Sequence, residues 1–139
     1  MYVQPYLHFD GCTEEALEFY RKAVGAEVQM ILRMNEAPEQ PPPGTIPPGN
    51  EKKIMHAAFK VGDSTILASD GYCHGKPNFS GVTLTLHVPT EADADRRFNA
   101  LLDGGKVTMP LGKTFFSPRF GMLTDRFGVA WIVIVPTNQ

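Results

Sequence analysis

The chain carries one pattern twice, and this duplication restricts its fold more than any other feature. Gln4-Pro5-Tyr6-Leu7-His8-Phe9 alternates polar and apolar side chains, breaks at Asp10-Gly11, and enters a helical pattern with Glu14, Glu15, Ala16, Phe19 and Tyr20. Thr83-Leu84-Thr85-Leu86-His87-Val88 alternates in the same phase, breaks at Pro89-Thr90, and enters a helix with Glu91, Ala92, Ala94 and Phe98. Alternation with period two marks a half-buried strand, and apolar spacings of three and four mark an amphipathic helix. Paired strand-like runs follow each copy. A strand, a helix and further strands, built over residues 1–72 and again over 79–136, are expected to fold as two half-sheets around one shared hollow.

Composition narrows the class. A chain of 139 residues is long enough for one domain with a real core, and 42% hydrophobic with 20% charged residues is a globular balance. The net charge of -2 leaves no basic footprint, which argues against nucleic acid as a partner. No apolar run reaches the ~18 residues of a membrane span. The N-terminus lacks a basic stretch followed by an apolar one, so no secretory signal is expected either. Cys12 and Cys73 lack C-x-x-C spacing and read as free thiols, which points to the cytoplasm.

The first helix has Thr13 or Asp10 as its cap, Gly25 as its stop, and Ala16, Phe19, Tyr20 and Ala23 as its buried stripe. The second runs over residues 91–102, capped by Thr90 and stopped at Gly104-Gly105, with Phe98, Leu101 and Leu102 apolar. Residues 28–34 read as a strand. Residues 37–50 hold Pro38, Pro41, Pro42, Pro43, Pro47 and Pro48, and proline removes backbone donors, so this segment must be loop. It is a surface excursion, a lid, or an arm on a partner subunit. Residues 54–61 and 64–70 form a hairpin around Gly62-Asp63, with Val61 facing Ser64, Phe59 facing Ile66 and His56 facing Ser69. Its core face is then Met55, Ala57, Phe59, Val61, Ile66 and Ala68. The other face, His56, Ala58, Lys60, Thr65, Leu67 and Ser69, is mixed, as a pocket wall would be. Residues 121–124 and 129–135 form the matching hairpin.

These residues carry a resemblance. Pro5-Tyr6-Leu7, Glu15-Ala16-Leu17-Glu18-Phe19-Tyr20 and Gly25-Ala26-Glu27 are similar to the opening of PhnB-like proteins. The likeness continues through Met55-His56-Ala57, Ala68-Ser69-Asp70, Phe120-Gly121-Met122 and Asp125-Arg126-Phe127-Gly128-Val129-Ala130-Trp131. Such proteins belong to the vicinal-oxygen-chelate superfamily, with glyoxalase I, bleomycin-resistance proteins and extradiol dioxygenases. The resemblance implies an α+β fold: one domain over residues 1–139, made of two βαβββ modules whose curved mixed sheets enclose a shared cavity. It also implies a homodimer. Some relatives carry a 3-demethylubiquinone-9 3-methyltransferase label, but a nucleotide donor calls for a glycine-rich strand-to-helix turn, and this chain has no G-x-G.

Enzymes of that superfamily hold a divalent cation with four side chains, two from each module. The corresponding places in this chain fall at Gln4, Leu67, Thr83 and Ile132, and a shift of one or two residues brings in Ser69 or Asp70. Leu and Ile have no donor atom, and the Gln4 amide and Thr83 hydroxyl are neutral. No cofactor is therefore expected, with a divalent metal kept as the alternative.

His8 and His87 occupy equivalent places in the two copies and share a face, on alternation, with Gln4, Tyr6, Thr83 and Thr85. His56 faces Ser69, and His74 sits in the loop that follows. Each is either a hydrogen-bonded histidine with no task or, for His56 with His8 or His87, a pocket donor or general base. Arg119, counted in phase with Gly121 and Ile132, is either a cavity-wall guanidinium for a carboxylate or phosphate or a surface partner of an acid. Phe115, Phe116 and Trp131 can stack on a planar ligand, although Trp131 alternates onto the core side. Turn chemistry accounts for Asp70 and Asp125.

The expected pocket lining is thus Gln4, Tyr6, His8, His56, Leu67, Ser69, Thr83, Thr85, His87, Arg119 and Ile132, with no catalytic residue assigned. The expected function is small-molecule binding of the bleomycin-resistance type, without metal. The alternatives are a metal-dependent lyase, isomerase or dioxygenase acting on a small oxygenated substrate, and an interaction module whose insert engages a partner.

Overall fold

The two copies of the pattern become two βαβββ modules in the computed structural model, which describes residues 1–71, 73 and 75–137. The chain divides into units Met1–Asn78 and Phe79–Gln139. The first contains β1 (Tyr6–His8), α1 (Thr13–Val24), β2 (Glu27–Arg33), β3 (Ile54–Val61) and β4 (Ser64–Ser69). The second contains β5 (Thr83–His87), α2 (Glu91–Leu102), β6 (Lys106–Gly112), β7 (Phe120–Thr124) and β8 (Ala130–Ile134). The fold is α+β, with two four-stranded mixed sheets ordered β1-β4-β3-β2 and β5-β8-β7-β6. In each sheet the first strand runs parallel to the last, and the other neighbours are antiparallel. The duplication holds in register: Leu7 pairs with Ala68 and Leu86 with Val133, His8 with Ser69 and His87 with Ile134.

Helix α1 buries Thr13, Ala16, Leu17, Tyr20, Ala23 and Val24. These positions follow the three-four spacing of one helical face. Phe19, expected in that stripe, lies off this line and stays partly exposed, and Leu17 takes its place. Tyr20 stacks on Phe59 with ring centroids 6.0 Å apart and meets Phe9 at 6.1 Å, so the aromatic core forms between helix and sheet. Burying each such side chain is worth about 1.5–3 kcal/mol. Helix α2 likewise buries Ala94, Phe98 and Leu101, while Leu102 is only partly covered.

The two helices begin differently. Thr90 caps α2 as expected, its Oγ1 accepting from the Asp93 N–H at 3.1 Å. In α1 the capping position belongs to Cys12 rather than Thr13 or Asp10, and its side chain makes no capping bond. Asp70, just past β4, fills the gap from across the sheet. Its Oδ1 accepts from the Gly11 and Thr13 N–H groups, both at 2.9 Å, and its Oδ2 accepts from the Ile54 N–H at 2.7 Å. One buried carboxylate therefore joins the start of α1 to β3 and β4.

Bulges shift the expected phase of two strands. Strand β2 covers Glu27–Arg33 rather than residues 28–34, and a 3-10 turn follows at Met34–Glu36. Val28 pairs with Phe59 but Met30 with Ala58, so Gln29 is an extra residue; Leu32 pairs with His56 but Arg33 with Ile54, so Met55 is another. A bulge reverses which face the next residue meets. Ile54 consequently enters the core, while Met55, expected there, is exposed. Ala57, Phe59, Ile66 and Ala68 are buried as alternation requires, and Val61 at the hairpin end is half-buried. Residues 37–50 form neither helix nor strand. No described helix is long and apolar enough to cross a membrane.

Candidate functional site

Alternation places Tyr6 and His8 of β1, Leu67 and Ser69 of β4, and His56 and Ala58 of β3 on the face of the N-terminal sheet turned away from α1. Four of these expected site residues meet. The Tyr6 hydroxyl lies 2.9 Å from His56 Nδ1. The Tyr6 ring stacks on His8, centroids 4.7 Å apart and planes 20° from parallel. Ser69 Oγ lies 3.4 Å from His8 Nδ1 and accepts from the Gly71 N–H at 3.1 Å. The register explains how distant residues converge. Tyr6 pairs with Leu67 and Leu67 with Ala58, and His56 is the next β3 residue on that face. Tyr6 is 39% exposed, His8 is exposed, His56 is partly exposed and Ser69 is buried. The cluster is thus anchored at its base and open at its top.

The alternation of β3 and β4 also brings Lys60 and Thr65 onto this face, where they pair across the strands. Leu32 joins opposite His56 and Met30 opposite Ala58 only because Gln29 bulges. Sequence reasoning missed those two, and no alternation signal could have placed them. Gln4 lies ahead of β1, partly exposed, and Leu67 sits beside Tyr6 without a donor atom.

The corresponding face of the C-terminal sheet has a different chemistry. Thr83, Thr85 and His87 are exposed on β5, opposite Ala130, Ile132 and Ile134, and Met122 pairs with Ile132. Ile134 stands where Ser69 stands in the first module, so the hydroxyl–imidazole contact has no counterpart at His87. Arg119 is in phase with Gly121 but not with Ile132: the register pairs Gly121 with Val133 and Ile132 with Met122. It therefore lies on the helix side, where its Nε and Nη2 donate to the two carboxylate oxygens of Asp95 at 3.1 and 3.2 Å. The Asp95 carboxylate raises the pKa of the guanidinium above its ordinary value. Asp70 N–H bonds to Ile54 and Val135 N–H to Arg119, so an ion pair occupies the place held by a core isoleucine in the first module.

Trp131 is buried, and its Nε1–H donates to Asp125 Oδ2 at 2.9 Å. Asp125 Oδ1 accepts from the Phe127 and Val129 N–H groups, so the turn and the tryptophan share one anchor. Phe115 is 99% exposed, and Phe116 packs edge-on against Phe115 and Phe120. A shallow cavity of about 450 Å³ in this unit is lined by Lys113, Phe115, Ser117, Val135 and neighbouring residues, and by none of the expected site residues. Cys12 and Cys73 are free thiols. Burial raises the pKa of both, Glu15 adding at Cys12 and Asp70 at Cys73. His74 lies outside the described residues.

Among the described residues no three His, Cys, Asp or Glu side chains gather where they could hold a metal ion. The places implied for a divalent cation do not fit one. Leu67 and Ile132 occupy equivalent register positions, opposite Tyr6 and Thr85, and offer only hydrocarbon.

Residues 2–134 match the family model described as 3-demethylubiquinone-9 3-methyltransferase. Protein YjdN of Escherichia coli (strain K12) is 33% identical over 144 residues, covering 100% of this chain and 98% of the relative. The crystal structure of protein PA1353 from Pseudomonas aeruginosa is 39% identical with a TM-score of 0.85, each chain 99% covered. A PhnB protein from Bacillus cereus, described as a putative 3-demethylubiquinone-9 3-methyltransferase, is 30% identical with a TM-score of 0.78, covering 97% of this chain and 99% of its own. The chain belongs to the PhnB-like family that carries the 3-demethylubiquinone-9 3-methyltransferase description.

Proposed function

We propose that the protein binds a small organic molecule on the helix-free face of its N-terminal sheet, as a metal-independent, bleomycin-resistance-type member of the vicinal-oxygen-chelate superfamily. The Tyr6–His8–His56–Ser69 cluster carries this reading. It sets two imidazoles and a phenol on an open sheet face beside the apolar Leu67 and Leu32, the mix of few polar groups and apolar wall that small-molecule sites use. The donor chemistry at Gln4, Leu67, Thr83 and Ile132 supports binding without a cation. Methyl transfer finds no support at the helix starts. The Asp70 carboxylate already takes the Thr13 amide at the start of α1, and the Thr90 hydroxyl takes the Asp93 amide in the first turn of α2, so each helix start carries an oxygen cap of its own. Assembly as a homodimer belongs to the same proposal. Val28 and Met30 on β2, and Val107 and Met109 on β6, are exposed apolar side chains on edge strands, the kind of surface a second copy covers.

A thermal-shift screen of small aromatic and heteroaromatic compounds tests the reading. Compounds should raise the melting temperature of the wild type and lose that effect in Tyr6→Ala/His56→Ala. A screen in which every stabilising compound acts equally on both proteins would refute it. Elemental analysis of protein purified without chelator tests the metal clause: stoichiometric nickel, zinc, manganese or iron would move the protein to the metal-dependent lyase, isomerase or dioxygenase class.

A further inference from the structure

Resting on that binding reading, we infer that the cluster recognises a carboxylate: His8 and His56 each present an Nε2–H outward to the oxygens of a small organic acid. The argument begins with which ring nitrogen is engaged. In both histidines the hydrogen-bonded atom is Nδ1, at 2.9 Å from the Tyr6 hydroxyl and 3.4 Å from Ser69 Oγ. A phenol is a strong donor and a poor acceptor, because its oxygen lone pair delocalises into the ring, whereas an unprotonated imidazole nitrogen is a good acceptor. Tyr6 therefore donates to His56 Nδ1. Ser69 Oγ accepts from the Gly71 N–H, and we assign its own proton to His8 Nδ1. A neutral imidazole that accepts at Nδ1 carries its proton on Nε2. Both rings are thus held in the same tautomer, with the donor nitrogen away from the sheet's own bonds.

The surroundings favour an acceptor that bears negative charge. Lys60 lies four residues from His56 along β3 on the same face, and no ion pair among the described residues engages it. The one acid placed on this face by the register is Glu27, opposite Lys60 and four rungs from His56. Next to the imidazoles stand Leu67 and Leu32, which offer contact to a hydrocarbon or ring and no competing acceptor side chain. Two N–H donors, an ammonium on the same sheet face and an apolar flank suit an aromatic or aliphatic monocarboxylate.

Benzoate and benzyl alcohol, nearly equal in shape and different in charge, form the test pair. Calorimetric titration should show benzoate binding at least about tenfold more tightly, since hydrogen bonds to an ionised acceptor are about twice as strong as neutral ones. His56→Ala and His8→Ala should each weaken benzoate several-fold, and by a larger factor than they weaken benzyl alcohol. Long-range proton–nitrogen correlation spectra of the wild type should show both rings protonated at Nε2 alone, a readout that does not depend on the variants folding. Equal affinity for the two compounds would overturn the carboxylate assignment and leave the small-molecule site standing. So would a proton on His56 Nδ1. Failure of both compounds to bind at millimolar concentration would also overturn it, and the broader reading would then be decided by the thermal-shift screen alone.

Discussion

Asp70 illustrates how much a single side chain organises in this protein. Its carboxylate satisfies three backbone donors, those of Gly11, Thr13 and Ile54, in a position 1% exposed. Removing it leaves those amides unpaired, at about 1–3 kcal/mol for each that stays buried. Asp70→Ala should therefore lower unfolding stability by about 3 kcal/mol in urea titrations; a loss below about 1 kcal/mol would mean that water replaces the carboxylate freely. Glu14 makes a smaller contribution with a definite pH dependence. The Arg33 guanidinium, bonded to it at 2.7 and 3.1 Å, holds its carboxyl below the usual range, mainly through that hydrogen bond. A folded-state pKa below the unfolded value gives stability that is present above the unfolded pKa and lost as pH falls through the folded one. The pair is exposed, so the effect stays below about 1 kcal/mol. The stability gap between wild type and Glu14→Gln should be present at neutral pH and close below about pH 4. A gap unchanged down to pH 2 would contradict the ion-pair account.

At the scale of elements, α2 approaches its sheet at a glycine. A Cβ on Gly121 would lie 2.8 Å from Phe98 Cε2 and 2.9 Å from Leu111 Cα, closer than packed carbons tolerate. In the first module the matching places are Ala57 on the sheet and Tyr20 on the helix. Gly121→Ala should cost about 1–3 kcal/mol by over-packing. Combined with Phe98→Leu the two losses should be less than additive, because the smaller side chain makes room for the methyl group. Strict additivity would show that Phe98 is not the obstacle. The same elements show what was legible from the chain. Helix bounds and the β3–β4 register follow from alternation plus a tight hairpin, since a fixed turn sets every rung behind it; the meeting of Tyr6 and His8 with His56 and Ser69 rests on the parallel β1–β4 pairing, which no turn sets. Bulges at Gln29 and Met55 were not legible, because an extra residue leaves no mark on polarity. They decided that Ile54 rather than Met55 is core, and that Leu32 reaches the site. Arg119 was misphased against Ile132 because its strand was counted without the observed pairing, and the cap of α1 was missed because Asp70 reaches it from the far end of the hairpin.

At the scale of the whole molecule, one βαβββ plan has been built twice and then divided in chemistry. The helix-free face of the N-terminal sheet carries Tyr6, His8, His56 and Ser69, and that of the C-terminal sheet carries Ile132, Ile134 and Met122 beside Thr83, Thr85 and His87. If the exposed edge residues are covered by a second copy, light scattering should give twice the 15.3 kDa chain mass, and Val107→Lys/Met109→Lys should return the single mass. A monomer at all concentrations would remove that part of the proposal. Amide shift mapping of the isotope-labelled chain against small aromatic acids and alcohols decides which sheet binds. The account predicts the largest shifts at Tyr6, Leu7 and His8, at His56, and at Leu67, Ala68 and Ser69. Shifts centred on Lys113 to Pro118 or on the β5 and β8 strands, or no shifts at all, would contradict it.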